Sequence, residues 1–132
     1  MILLDTHVLC WLRFGDARLG RRARAVLERA TQERDAAVST ITFWEAGMLQ
    51  EKGRIELPAE LSAWRGSLLR EGLVEIPVDG AIAARAGSLH DIHGDPADRV
   101  ILATALEGHQ LITADDRLLA WPGDIARLDA RE

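Results

Sequence analysis

Four acidic residues lie beside apolar segments of this sequence, at positions where they could share one site. Asp5 comes directly after the apolar run that opens the chain, and Asp115 comes two residues after a later apolar run. Glu45 and Asp98 lie near the starts of two predicted helices. Two carboxylates about 5 Å apart repel by roughly 3 kcal/mol at an effective dielectric near 20, so four that converge need protonation or a bound cation. Carboxylate oxygens without nearby thiolates favour Mg²⁺ or Mn²⁺ over Zn²⁺.

Short apolar segments alternate with longer amphipathic ones along the chain. Strands are predicted at Ile2–Leu4, Ala36–Val38, Leu73–Ile76 and Gln110–Thr113, with a fifth, edge strand at Ile125–Leu128. Among the helices, one is opened by Pro58, one is capped by Asp79, and one has Asp95 as its cap and Pro96 as its first residue. This alternation predicts one α/β domain over residues 1–132, with a twisted parallel sheet of four to five short strands flanked by helices on both faces.

The predicted sheet gives the acidic residues a common location. Sheets of this class bind ligands outside the carboxyl ends of their strands, and Asp5, Glu45 and Asp115 all follow strands. Asp98 follows a helix instead, so it joins the group only if its own helix packs against that edge of the sheet. Two members also have simpler explanations, since Asp98 suits the first turn of its helix and Asp115 suits the cap of the next.

Composition limits the class of protein. The chain has 132 residues, of which 48% are hydrophobic, and this suits one folded domain with a substantial core. Its net charge of −5 disfavours simple electrostatic binding of nucleic acid. The single cysteine, Cys10, excludes a disulfide within the chain and suits a reducing cytoplasm. Because Asp5 interrupts the first apolar run so early, neither a signal peptide nor a membrane span is expected there, and we expect a soluble cytoplasmic protein.

Four segments of the sequence match a known family in their order and spacing. They are Leu3-Leu4-Asp5-Thr6, Ser39 through Glu45, His93 through Arg99, and Leu111 through Asp115. With them the chain resembles the PIN-domain proteins, specifically the VapC toxins of bacterial type II toxin–antitoxin systems, over nearly its whole length. The resemblance implies an acidic pocket that holds Mg²⁺ or Mn²⁺ and endoribonuclease cleavage of RNA. It also implies a cognate VapB-type antitoxin, whose basic segment would suit an acidic chain, and we expect a homodimer.

The resemblance also assigns roles to individual residues. The implied metal ligands and catalytic residues are Asp5, Glu45, Asp98 and Asp115, with Asp5 and Asp98 as the most direct ligands. Thr6 and Thr113 are implied to orient water and the carboxylates, and Arg99 either meets a phosphate or braces a carboxylate. Asp116 competes with its neighbour Asp115 for the inward position, although the spacing from Thr113 favours Asp115. The expected reaction is in-line attack of water on phosphorus, which leaves a 5′-phosphate and a 3′-hydroxyl.

Rival classes of α/β protein lack residues that they need. A receiver domain needs a lysine near a late strand, but the sole lysine is Lys52, and a haloacid-type phosphatase needs an aspartate where His7 stands. A zinc site at His90 and His93 lacks further ligands nearby in the sequence. A non-toxin PIN-like nuclease and an inactive PIN-like module that binds RNA or protein remain as alternatives.

Overall fold

Five short strands and seven helices alternate along residues 1–132 of the computed structural model. The strands are β1 Ile2–Leu4, β2 Ala36–Ser39, β3 Val74–Ile76, β4 Gln110–Thr113 and β5 Arg127–Asp129. The helices are α1 Thr6–Arg13, α2 Arg21–Gln32, α3 Ile41–Glu51, α4 Leu61–Arg70, α5 Gly80–Ser88, α6 Pro96–Ala105 and α7 Asp116–Leu119. None of these helices has the length and apolar character that crossing a membrane requires.

All five strands form one parallel sheet in the order β3-β2-β1-β4-β5. Strands β2 and β3 are added in turn on one side of β1, and the chain then crosses back to add β4 and β5 on the other side. Such a reversal is the position at which open α/β sheets bind ligands. Leu3 pairs with Leu111 and Leu4 pairs with Ile112, so β1 and β4 end close to the same level. Residues that follow these two strands therefore emerge side by side.

The strands bury side chains on both faces of the sheet. Leu4 and Ile112 belong to a large apolar cluster with residues of α1, α2, α3 and α4. Leu3 and Leu111, one position earlier in each strand, belong to a second cluster with residues of α6 and α7. Because neighbouring side chains of a strand point to opposite faces, these clusters lie on opposite sides of the sheet. The predicted parallel sheet with helices on both faces is confirmed.

Helix α6 is buried on more than one side, and this packing determines where its first turn lies. Ile101 and Leu102 pack against the sheet, whereas Ala103 packs against α5. The helix starts as predicted, with Asp95 as its cap and Pro96 as its first residue. The first turn of α6 is thereby held against the carboxyl edge of the sheet, where it brings Asp98 to the residues that follow β1 and β4.

Two predicted elements begin too early along the chain. Pro58 does not open a helix, because α4 begins at Leu61 and the carboxylate of Glu60 caps it by accepting from two backbone N–H groups at 3.0 and 3.2 Å. The fifth strand lies at Arg127–Asp129 rather than Ile125–Leu128. Its register places Leu128 opposite Ile112 of β4, so the buried leucine determines the position of the strand.

Candidate active site

Five carboxylates line one pocket of about 210 Å³ at the carboxyl edge of the sheet. They are Asp5, Glu45, Asp95, Asp98 and Asp115, and the remaining lining residues are Thr6, His7, Leu49 and Arg117. The structure thus brings together all four acidic residues that the sequence singled out. It adds a fifth, Asp95, for which the sequence predicted a helix cap and nothing more.

Asp5 is the most tightly held of the carboxylates. It is 2% exposed, and its Oδ1 accepts from the backbone N–H of Thr6 at 2.8 Å. Its Oδ2 accepts from the hydroxyl of Thr113 at 2.7 Å, and that hydroxyl accepts in turn from the backbone N–H of Asp115 at 3.0 Å. A chain of hydrogen bonds therefore fixes the end of β1 to the residues that follow β4.

Asp98 is the pocket carboxyl whose pKa is raised most. It is the third residue of α6 and only 7% exposed, and its backbone N–H donates to the Asp95 carboxylate at 3.2 Å. Burial, and then the negative charges of the four other pocket carboxylates, raise the pKa of Asp98 to about 7. Without a bound cation, this carboxyl group therefore retains its proton in a large fraction of molecules at neutral pH.

Glu45 reaches the pocket from α3 and is half-buried. Burial raises its pKa above the ordinary value, hydrogen bonding by Thr6 works in the opposite direction, and the charges of Asp5 and Asp95 raise the pKa further. The hydroxyls of Thr6 and Thr42 lie 3.0 Å apart in a buried pair, which joins the first turns of α1 and α3. Thr6 thus helps to position the helix that carries Glu45.

Asp115 and its neighbour Asp116 point in different directions. Asp115 lines the pocket and caps α7 by accepting from the backbone N–H of Arg117 at 2.8 Å. Burial raises the pKa of Asp115, but hydrogen bonds from the Arg117 side chain and backbone bring the net pKa below its ordinary value. Asp116 is 82% exposed and pairs with Arg131 at 2.7 Å, outside the pocket. Of the two candidates, Asp115 is therefore the one that faces the other carboxylates.

Two histidine rings lie beside the carboxylates. Nε2 of His7 accepts from the backbone N–H of Ala114 at 3.1 Å, which places the ring proton on Nδ1, 3.5 Å from Oδ2 of Asp5. Nδ1 of His93 accepts from the backbone N–H of Asp95 at 3.2 Å, so its proton lies on Nε2. That buried Nε2 lies 3.1 Å from Oδ2 of Asp98 without an aligned hydrogen bond.

The structure corrects the prediction for Arg99, which neither meets the pocket nor braces a carboxylate. Successive residues of a helix point about 100° apart, so Arg99 turns away from the side on which Asp98 lies. Its guanidinium donates to four backbone carbonyls, that of Ala86 in α5 and those of Leu89, Ile92 and His93 in the segment that joins α5 to α6. Arg99 therefore holds the segment that carries His93 to the pocket.

The donor set fits a hard divalent cation. Ligand atoms of His93, Asp98 and Asp115 lie within 4.8 Å of one another, and so do those of Glu45, Asp95 and Asp98. Asp98 belongs to both groups, and its pKa is raised first by burial and then by the negative charge of the other carboxylates. Oxygen ligands in this number suit Mg²⁺ or Mn²⁺, whereas the single cysteine, Cys10, does not line the pocket.

Comparison with known proteins identifies the family. A family profile described as the PIN domain matches residues 2–122. The chain belongs to the PIN-domain family. Within it, a relative named Ribonuclease VapC22, from Mycobacterium tuberculosis, is 37% identical over 119 residues, which cover 89% of this chain and 88% of the relative. The resemblance inferred from the sequence motifs is confirmed.

Solved structures share the fold across almost the whole chain. A toxin–antitoxin complex from Klebsiella pneumoniae matches with a TM-score of 0.64 and 24% identity, covering 98% of each chain. VapBC2 from Rickettsia felis, bound to a DNA fragment from its promoter, matches with a TM-score of 0.67 and 15% identity, covering 97% of this chain and 98% of the other. At these identities the structural matches support the PIN fold.

The raised pKa of Asp98 predicts a specific pH dependence of stability. In metal-free buffer, folded Asp98 keeps its proton up to a pH of about 7, whereas in the unfolded chain it ionises near its ordinary value of 3.8. Its contribution to stability is therefore full below the unfolded pKa and is lost as the pH rises through the folded pKa. Asp98→Asn, which cannot ionise, should therefore gain about 1–3 kcal/mol in the free energy of unfolding relative to wild type as the pH rises from 5 to 8.

Urea unfolding at the two pH values, with chelator present, measures this difference. Asp116→Asn is the matched control, because it removes a neighbouring charge that lies outside the pocket. An equal gain for Asp98→Asn at both pH values would show that ionisation of Asp98 is not its cause.

Removing the Arg99 guanidinium should loosen the segment between α5 and α6. Arg99→Gln loses charge-assisted donors to four carbonyls, and we expect a loss of about 2 kcal/mol in the free energy of unfolding. Hydrogen exchange in residues 86–93 should accelerate more than elsewhere. Arg85→Gln, which removes a single exposed contact to Leu106 at 3.3 Å, should change neither quantity appreciably.

Proposed function

We propose that the protein is a metal-dependent endoribonuclease that acts as the toxin of a toxin–antitoxin pair. The observation that carries this proposal is the convergence of five carboxylates at the strand-order reversal of the sheet, with a pKa of about 7 for the buried Asp98. A pocket of this charge repels a phosphodiester unless a cation is bound. The 37% identity to a protein named as a ribonuclease supports the same activity.

Mg²⁺ or Mn²⁺ is the cofactor we propose, held by Asp5, Glu45, Asp98 and Asp115. Asp5 and Asp98 are the most buried of these four carboxylates, and we assign them the most direct contact. When bound, a divalent ion supplies a polarised water and offsets negative charge on the phosphate oxygens. Thr113 serves by fixing Oδ2 of Asp5 through its 2.7 Å hydrogen bond.

We assign Glu45 the role of proton acceptor for the attacking water. Both oxygens of Asp5 accept hydrogen bonds, and Asp115 is paired with Arg117, whereas Glu45 forms no ion pair. Its raised pKa also makes its carboxylate a better base. The water oxygen forms a bond to phosphorus while the bond from phosphorus to the 3′ oxygen breaks in line with it. The 3′ oxygen takes a proton from solvent and leaves as a 3′-hydroxyl, and the other product carries the 5′-phosphate.

For the cellular role we propose a VapB-type antitoxin as the partner. The relative bears the name VapC22, and solved structures that share the fold are toxin–antitoxin assemblies. The net charge of −5 and the acidic pocket favour a basic inhibitory segment over an acidic one. We further propose that the toxin works in the cytoplasm as a homodimer.

Single amide substitutions test the assignment of the carboxylates. Asp5→Asn and Asp98→Asn should each lower the rate of RNA cleavage at least about 100-fold while the fold is kept, because they remove a metal ligand and relieve repulsion. Induced expression of wild type should arrest bacterial growth, and expression of either variant should not. Asp116→Asn, whose carboxylate lies outside the pocket, should cleave RNA and arrest growth as wild type does. Parental cleavage by Asp98→Asn would refute the site.

The metal requirement and the chemistry of the cut ends test the mechanism. Cleavage should stop in excess chelator and return when Mg²⁺ or Mn²⁺ is added back. Products should be degraded by an exonuclease that requires a 5′-phosphate, since attacking water becomes part of that phosphate. A 2′,3′-cyclic phosphate on the products would mean that the ribose hydroxyl attacked instead, and would overturn the mechanism.

A further inference from the structure

Arg117 is the one arginine or lysine among the residues that line the carboxylate pocket. Its guanidinium donates to both oxygens of Asp115, at 3.3 Å from Nε to Oδ1 and 3.2 Å from Nη2 to Oδ2. The same Nη2 lies 3.7 Å from Oδ2 of Asp98. The side chain thus lies across two of the proposed metal ligands, although it is 61% exposed.

The same local pairing occurs twice outside the pocket. In Asp16-Ala17-Arg18 and Asp129-Ala130-Arg131, the backbone N–H and the guanidinium of the arginine also bind the aspartate two residues earlier. The distances from Nη2 to Oδ2 are 2.7 and 2.9 Å there, against 3.2 Å for Arg117. The pairing is therefore a property of the Asp-x-Arg turn. Arg117 differs in its longer contact and in its place over the acidic pocket.

The backbone of Arg117 is fixed, but the hydrogen bonds of its guanidinium go to the carboxylate of Asp115 alone. Leu118, the next residue, is fully buried and anchors α7. The backbone N–H of Arg117 donates to Asp115 at 2.8 Å, and the hydrogen bonds of the guanidinium all go to that one carboxylate. If another cation took the carboxylate oxygens, the guanidinium would be released while α7 stayed in place.

A divalent ion and Arg117 need the same oxygens. Nη2 of the guanidinium lies 3.2 Å from Oδ2 of Asp115 and 3.7 Å from Oδ2 of Asp98, and both carboxylates belong to a group that can hold a cation. A released guanidinium at the rim of the pocket suits an RNA phosphate, because its parallel N–H donors match two phosphate oxygens. No other arginine or lysine lines the pocket to do this.

We propose that Arg117 is an exchangeable counter-ion, which competes with the divalent ion for Asp98 and Asp115 and binds a phosphate of the RNA once released. The inference rests on the proposed metal-dependent ribonuclease function. Arg117 then contributes to RNA binding only when the metal is bound, and it is not a permanent ion-pair partner of Asp115.

Titration calorimetry with Mn²⁺ alone tests the competition. Arg117→Gln keeps the backbone hydrogen bond to Asp115 and should bind Mn²⁺ about two to five times more tightly than wild type, as expected for loss of one exposed ion pair. Arg131→Gln is the matched control, since it breaks the same local turn outside the pocket, and its affinity should equal that of wild type. Unchanged or weaker Mn²⁺ binding by Arg117→Gln would overturn the proposal.

The salt dependence of cleavage tests the phosphate contact. At saturating Mn²⁺, kcat/KM of Arg117→Gln on a single-stranded RNA transcript should fall about tenfold. The slope of its logarithm against log salt should become shallower by about 0.7, the value for one lost phosphate contact on a single strand. An unchanged slope would overturn the phosphate role. A wild-type protein that neither bound Mn²⁺ nor cut RNA would instead overturn the proposed function.

Discussion

Repulsion among carboxylates at the carboxyl edge of the sheet is the constraint on which the rest of the site depends. Both faces of the sheet are covered by apolar clusters, so polar groups that follow the central strands can gather only at their ends. The level ends of β1 and β4 bring Asp5 and Asp115 together, and packing of α6 adds Asp98. The fold therefore buries Asp98 and holds like charges close to it, and the two effects together raise its pKa.

The groups around these carboxylates orient them without removing their charge. Asp5 is held by a backbone N–H and by the hydroxyl of Thr113, and histidine rings lie beside Asp5 and Asp98. Away from the pocket, several acids pair closely with arginines, as Glu75 does with Arg65 at 2.6 Å. A comparably tight cation in the pocket would neutralise the site that a divalent ion needs. The loosely held guanidinium of Arg117 leaves that charge available.

How much of this could be predicted from the sequence depends on how local each cause is. Strand and helix alternation, and the acids that follow strands, are local patterns, and they predicted the sheet and the gathering of Asp5, Glu45 and Asp115. Asp98 required the motif resemblance, because its place depends on the packing of α6 against two neighbours. The position of β5 also depends on a distant contact, the pairing of Leu128 with Ile112. Sequence periodicity contains no record of such long-range contacts.

Two arginines closely follow site acids in the sequence, and they also show that only local contacts can be predicted from spacing. Arg99 follows Asp98 by one position within a helix, so its side chain turns away. Its guanidinium donates to backbone carbonyls, which residues of any type supply, so the motif contains no signal for these contacts. Arg117 follows Asp115 by two positions in a capping turn, which folds its N–H and guanidinium back onto that carboxylate. The Asp-x-Arg spacing was the available signal for Arg117. A saturated guanidinium stabilises structure, whereas one held only by carboxylates can exchange them for another anion.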